Sequence, residues 1–300
     1  MDLNVNKELL SIVVSYQPDL DQLKNLLDSL AKQSHVCLVD NGSRQAEEIA
    51  QLAESRVQFF FPQSSNIGLA DALNIGIQCA EVESYQAVLL FDQDSTPVGD
   101  YAANMVGVYD SLQSESRHRC AVIGPRLLDP ETGSRTDFKL FSGLVAKADK
   151  QLDELAGVYE SSFVITSGSY IPLDIIRRVG PMRSSYFIDN IDLEWCFRAT
   201  SMGLLVLGSD NVSLIHSIGE KQENTLFKRL GFKHHNPKRF YYTTRNRIDL
   251  YRQKYSPTGW KVRDIVRFAL KTSLLLLLSK DRKQIWHYTK LAFLGRPLEQ

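Results

Sequence analysis

The sequence has no CxxC pair, no internal repeat and no low-complexity tract. Its four cysteines, Cys37, Cys79, Cys120 and Cys196, stand far apart, three of them in apolar surroundings. They read as reduced core thiols, which fits the cytoplasm. Also missing are GxGxxG and the GxxxxGK that precedes Ser or Thr, so a Rossmann dehydrogenase or P-loop enzyme would lack its phosphate cradle. The opening residues MDLNVNKELL show neither the basic start nor the apolar stretch of a signal peptide. The run Leu274 to Leu278 falls far short of the ~20 apolar residues that cross a bilayer. Net charge is absent too, because 35 basic and 35 acidic side chains cancel. The balance conceals a division: residues 1–220 hold 16 Lys and Arg against 30 Asp and Glu, and residues 221–300 hold 19 against 5. Such a basic end calls for an anionic partner, nucleic acid or phospholipid.

What is present is the composition of a folded enzyme. The 43% apolar content over 300 residues suffices for a well-packed core, and 23% charged residues argue against disorder. Short β-branched runs alternate with amphipathic stretches. SIVVSY (11–16), VCLVD (36–40), VQFFF (57–61) and AVLLFD (87–92) read as buried strands. The stretch after Pro18 and Asp19 places Leu20, Leu23, Leu27 and Leu30 on one helical face; NIGLADALNIGIQCA does the same with Leu69, Leu73, Gly76 and Ile77. The alternation predicts an α/β fold with a mostly parallel central sheet, whose ligands bind at the carboxyl ends of the strands. Past residue 121 the strands are shorter and helices fewer, as in a mixed subregion added to the same sheet. The expected organisation is a domain over 1–220 in two parts, one to about 120 and one from about 121. A basic helical extension over 221–300 completes it.

Asp40 ends one predicted strand, and Asp92 with Asp94 ends another, so the three acids can converge on one sheet edge. An Asp-x-Asp at a strand end suits Mg2+ or Mn2+, hard cations that keep positions for water and phosphates. DSTP is also good turn chemistry, so Asp94 and Ser95 could merely cap the next helix or turn. In NIGLADALN, Asn66 can cap the helix and Gly68 can let an anion such as a diphosphate approach the free N–H groups. In YFIDNIDLEWCFRA, Asp189 is a natural N-cap, and Glu194 with Arg198 forms an i,i+4 pair on an exposed face. Asp192 fits that picture poorly. It shares a face with Trp195, Cys196 and Ala199, the setting of a base with a raised pKa, which like charge from Asp189 and Glu194 would raise further.

Taken in order, VVSYQPD, VDNGS, NIGLADALNIG, LLFDQDS, SGSYIP, FIDNIDLEWCFR, HSIG and YYTTRNRI resemble an inverting family 2 glycosyltransferase of GT-A fold. FDQDS and FIDNIDLEWC resemble the rhamnosyltransferases in particular, and the likeness covers about residues 10 to 250. It implies that Asp40 meets the donor's pyrimidine ring, with Ser15 and Tyr16 nearby. Asn66, Gly68 and Asn74 would surround the nucleotide and its diphosphate. Asp92 and Asp94 would form the metal motif for Mg2+ or Mn2+, joined by His216. Asp192 would be the general base; Ile191 stands where the family often has Glu, so Asp189 is a rival. Arg245 would face donor phosphate or acceptor. The implied reaction moves L-rhamnose from dTDP-rhamnose to a saccharide acceptor, a polyprenyl-diphosphate-linked precursor of O-antigen or another surface polysaccharide.

The end of the chain reads as a helix hairpin packed on the catalytic domain, or as a peripheral amphipathic surface. In the second reading Lys261, Arg263, Arg267 and Lys271 face anionic lipid at the inner face of a bacterial cell membrane. Nucleic acid is not expected as a partner, because no recognised binding module accompanies the charge. Two alternatives stand beside the transferase. A nucleotidyltransferase would need a basic phosphate-gripping loop, and VVSYQPD has no Lys or Arg. A nucleotide-sugar or glycan-binding protein without turnover would not need its acids intact.

Overall fold

The fold comes from a computed structural model that describes residues 6–130, 133–143, 145–216 and 237–298. Strand β1 (Asn6–Ser15) is buried from Leu9 onward and lies between two parallel partners, β2 (Ser34–Asp40) and β4 (Ala87–Asp92); β3 (Phe59–Pro62) extends the parallel set beyond β2. Both faces are covered, which is why these runs are continuously apolar. On one face lie α1 (Leu20–Leu30), α2 (Ala46–Glu54) and α4 (Tyr101–Asp110). On the other lie α3 (Leu69–Val82), α6 (Leu173–Val179) and α7 (Ile191–Ser201). Alternation along β1 sends Leu9 and Val13 to the first layer and Leu10, Ile12 and Val14 to the second. Helix α1 begins as the sequence predicts: the Asp19 carboxylate accepts the Gln22 N–H at 3.0 Å. Gly76 lets α3 lie close on the sheet, since a Cβ there would stand 2.4 Å from Ile12 Cγ2.

The mixed subregion continues the same sheet. After β5 (Ser95–Pro97) and a short α5 (Ser114–Arg119) come β6 (Cys120–Leu128), a β7–β8 hairpin (Lys139–Ser142, Val145–Ala148) and β9 (Lys150–Gln151). Strands β10 (Val158–Ser161), β11 (Ser169–Pro172) and β12 (Leu205–His216) come next. Among the described residues the strand order is β3-β2-β1-β4-β11-β6-β12-β10-β9, with β5 antiparallel to β12. Strand β11 joins β4 antiparallel, and β12 runs parallel to β6. All four cysteines are free and buried, as expected.

The C-terminal helices are α8 (Arg239–Arg252), α9 (Thr258–Leu278) and α10 (Arg282–Phe293). The last two form the expected hairpin, joined to α8 through Leu275, Ile285, Phe240 and Leu276. Trp260 docks its start on the catalytic core, edge-on to Phe197 at 5.2 Å. Two of the four cations expected to face lipid are turned to the protein instead. Lys261 donates to the Gln253 carbonyl at 2.7 Å. Lys271 is held below its usual pKa by burial, then by the neighbouring charges of Arg247 and Arg267. The boundary expected near residue 220 and the HSIG stretch after His216 lie outside the described residues.

Candidate active site

Register brings the strand ends together: β1 pairs Ser15 with Asp40 and Val14 with Asp92, so three strands finish at one edge. A cavity of about 1080 Å³ opens there. Six of the residues singled out in the sequence line it: Tyr16, Asn66, Asp92, Asp94, Asp189 and Asp192. The chain after Asp94 is neither helix cap nor turn, because Ser95–Pro97 forms β5 and pairs with β12, Ser95 opposite His216. That pairing brings the backbone of His216 beside the acidic motif; its side chain lies outside the described residues.

Ser15, Asp40, Gly68, Asn74 and Arg245 are not among the residues that line the cavity. Asp40 is fully buried and accepts from Ser15 Oγ at 2.9 Å, Ser43 N at 2.9 Å and Ser43 Oγ at 2.6 Å. It locks the loops after β1 and β2, and Asn41 lines the cavity in its stead. Asn74 ties α3 to the main chain of Met182, accepting its N–H at 2.9 Å and donating to its carbonyl at 2.8 Å. Arg245 turns toward the Ser185 carbonyl and lies over the rings of Tyr241 and Tyr242.

The start of α3 departs from the anion cradle that the sequence predicts. Its N-cap is Gly68, not Asn66. The Ile67 N–H goes to Asn41 Oδ1 at 2.8 Å, the Gly68 N–H to Asn66 Oδ1 at 2.9 Å and the Leu69 N–H to the Phe187 carbonyl at 2.7 Å. Three successive donors are therefore consumed within the protein. Gly68 is required by packing, since its φ is +92° and a Cβ would meet the Phe187 backbone at 2.9 Å.

The segment ahead of α7 also differs from expectation. Asn190, not Asp189, precedes the helix, and both residues are left-handed at φ 61° and 68°. Two such residues in succession cost about 1 kcal/mol each, so the surroundings must hold them. Helix α8 does. Arg239 grips the Asp189 carboxylate with two bonds, Nε to Oδ2 at 2.9 Å and Nη2 to Oδ1 at 2.7 Å, and Thr243 Oγ1 donates to Oδ2 at 2.7 Å. One turn on, Asn246 Nδ2 donates to the carbonyls of Ile188 and Asp189 at 2.9 Å each. The YYTTRNRI stretch is thus a brace for the loop that carries the acids.

Glu194 and Arg198 pair as predicted, at 2.9 Å, but Glu194 is buried at 1% exposure and also accepts from Tyr255 at 2.7 Å. Desolvation is the main reason that the Asp192 pKa rises to about 6, and like charges on Asp189 and Asp92 add to it. The Leu193 N–H bond to Asp192 Oδ1, at 2.8 Å, opposes the rise.

Asp92 and Asp94 offer hard oxygen donors at the cavity floor, suited to Mg2+ or Mn2+. Among the described residues no group of three His, Cys, Asp or Glu forms a cage for a metal. Two carboxylates with positions left for water and phosphate are the usual provision for such ions. The cavity residues not singled out in the sequence include Gln93, which looked like a spacer between acids, Asn41, and Arg239 at the start of α8. The KR pair ahead of YYTTRNRI was the available signal for Arg239.

Residues 11–115 match the family model described as glycosyl transferase family 2. That match spans about a third of the chain, from β1 to the start of α5. The dTDP-rhamnosyl transferase RfbF of Shigella flexneri is 25% identical over 279 residues, 93% of this chain and 91% of that protein. A crystal structure of GalNAc-T7 with UDP, GalNAc and Mn2+ superposes with a TM-score of 0.61 at 16% identity, over 97% of this chain but only 56% of that one. S. aureus TarS 1-349 in complex with UDP-GlcNAc superposes with a TM-score of 0.58 at 14% identity, over 96% of this chain and 81% of the other. These likenesses establish the fold, mixed α/β of the GT-A type with C-terminal helices.

Proposed function

We propose that the protein, a glycosyltransferase by its family 2 domain, moves L-rhamnose from dTDP-rhamnose to a saccharide hydroxyl with inversion. One observation carries the chemistry: Asp92 and Asp94, at the end of β4, share a single cavity with Asp192, in the first turn of α7. Activation of a leaving group and deprotonation of a nucleophile can then occur at separate acids. The resemblance to a dTDP-rhamnosyl transferase along nearly the whole chain supports the donor.

Asp92 and Asp94 would hold Mg2+ or Mn2+. When bound, the cation supplies charge stabilisation for the departing nucleoside diphosphate. Asp192 accepts the proton of the acceptor hydroxyl as that oxygen attacks the anomeric carbon, a contribution on the order of 10² to 10⁴ in rate. Its desolvated wall keeps the carboxylate basic while leaving it ionised at pH 7. Asp189 is less suited to that task, because Arg239 and Thr243 occupy both of its oxygens. Tyr16 and Asn41 flank the donor at the strand edge. The acceptor is a polyprenyl-diphosphate-linked glycan precursor of O-antigen or a related polysaccharide, met in the cytoplasm at the membrane face. The basic, apolar C-terminal hairpin supports that placement.

A donor panel of dTDP-rhamnose, UDP-glucose, UDP-galactose and GDP-mannose, each with and without chelator, tests the reading. Metal-dependent turnover of dTDP-rhamnose with inverted anomeric configuration is expected. Preference for another donor, or a retained configuration, overturns it.

A further inference from the structure

Among the described residues, nine of the thirteen large apolar side chains left exposed fall between Val262 and Leu294. They are not scattered. On α9, Val262, Val266, Leu270 and Leu277 recur at helical spacing and form one stripe, while Trp260 and Leu275 are buried in the protein. On α10, Trp286 and Phe293 stand exposed seven residues apart, while Ile285 and Ala292 pack inward. Exposed cations border the stripe: Arg263 and Arg267 on α9, Lys283 and Lys290 on α10. The only acids from 258 to 298 are Asp264 and Asp281, and Asp264 is bound to Arg247 at 2.9 Å and to Tyr251 at 2.7 Å.

We propose that this face of the α9–α10 hairpin lies in the plane of an anionic bilayer, its stripe seated at the boundary of headgroups and acyl chains. The flanking Arg and Lys then meet lipid phosphates, the arrangement of an interfacial helix. Crossing the bilayer is not involved, because no helix among the described residues is long and apolar enough. A second copy of this chain is the poorer occupant, since two such faces in contact would oppose like charges around their rims. The inference extends the acceptor reading above, but its test uses neither donor nor acceptor, so either can fail alone.

The full chain is mixed with vesicles of phosphatidylethanolamine and phosphatidylglycerol and floated through a density gradient. Wild type should float with the vesicles. Leu270→Glu and Leu277→Glu should each reduce partitioning by about tenfold, the consequence of removing one buried leucine from the interface. Thermal unfolding should stay unchanged, because both side chains face outward. Arg267→Gln should weaken binding chiefly at low salt. The proposal is overturned if wild type does not float, or if the glutamate variants float like wild type, which would leave a purely electrostatic contact. It is equally overturned if ultracentrifugation reveals a dimer that those variants dissociate.

Discussion

The carboxamide of Gln93 holds the main chain of Tyr16 from both sides: Oε1 accepts the Tyr16 N–H at 2.6 Å, and Nε2 donates to the Tyr16 carbonyl at 3.2 Å. The residue between Asp92 and Asp94 therefore fixes the loop that leaves β1. Tyr16, 46% exposed at the cavity, owes its position to that clamp. At about 1 kcal/mol per bond, losing both in Gln93→Ala should raise the KM for donor by about thirtyfold with a smaller change in kcat. Gln93→Glu keeps the bond to the N–H and loses the one to the carbonyl, so it should fall between the two. A loss confined to kcat in both variants would remove the positioning role.

Asp192 links activity and stability in opposite directions. If Asp192 is the base it must be ionised, so kcat/KM should fall by about tenfold per pH unit below a pKa of about 6. For folding, the pKa is raised above its unfolded value of 3.8. The group's favourable contribution is complete below the unfolded value and is lost as pH rises through about 6. Asp192→Asn should therefore abolish turnover while gaining up to about 3 kcal/mol in stability at pH 7, an advantage that vanishes near pH 3. Denaturant titrations of the apo protein at the two pH values check this. A variant less stable than wild type at pH 7 would show that the carboxylate is not strained by burial.

The parallel half of the sheet was legible because its strands are apolar throughout and its helices carry one apolar stripe each. The place of Asp92, Asp94 and Asp192 at one cavity was legible for a local reason, an acid at the end of an apolar strand or on an apolar helix face. Contacts between distant segments were not. Nothing near NIGLADALN announces that the Phe187 carbonyl takes the Leu69 N–H, so an anion cradle was expected where the donors are already spent. Glu194 looked solvated from its i,i+4 spacing, yet Tyr255, far along the chain, covers it. Lys271 looked like part of a basic stripe until α8 placed Arg247 beside it.

The bidentate grip of Arg239 on Asp189 gives a way to separate the two acids near α7. If Asp192 is the base, Asp189→Asn removes a like charge that raises its pKa, and the acidic limb of the pH–rate profile should move to lower pH while turnover persists. Arg239→Gln leaves Asp189 uncompensated, so the limb should move to higher pH. Opposite shifts in the two variants would be hard to obtain from a general loss of fold. Loss of all turnover in Asp189→Asn, with Asp192→Asn active, would transfer the base to Asp189.

Asp92 and Asp94, at and just after the end of β4, should make nucleotide and cation bind as one unit. Among the described residues no third His, Cys, Asp or Glu joins the two carboxylates, and ions of this kind usually take the substrate's phosphates as further ligands. Mn2+ alone should then shift thermal unfolding little. Mn2+ with dTDP at a hundredfold excess over its dissociation constant should add about 2.7 kcal/mol, an effect set by mass action on the folded state. Asp94→Asn should lose most of that increment and all chelator-sensitive turnover, because one of two hard oxygens has gone. If dTDP stabilises the variant as well as wild type in the presence of Mn2+, the nucleotide is held by the protein alone and Asp94 is not its partner through metal.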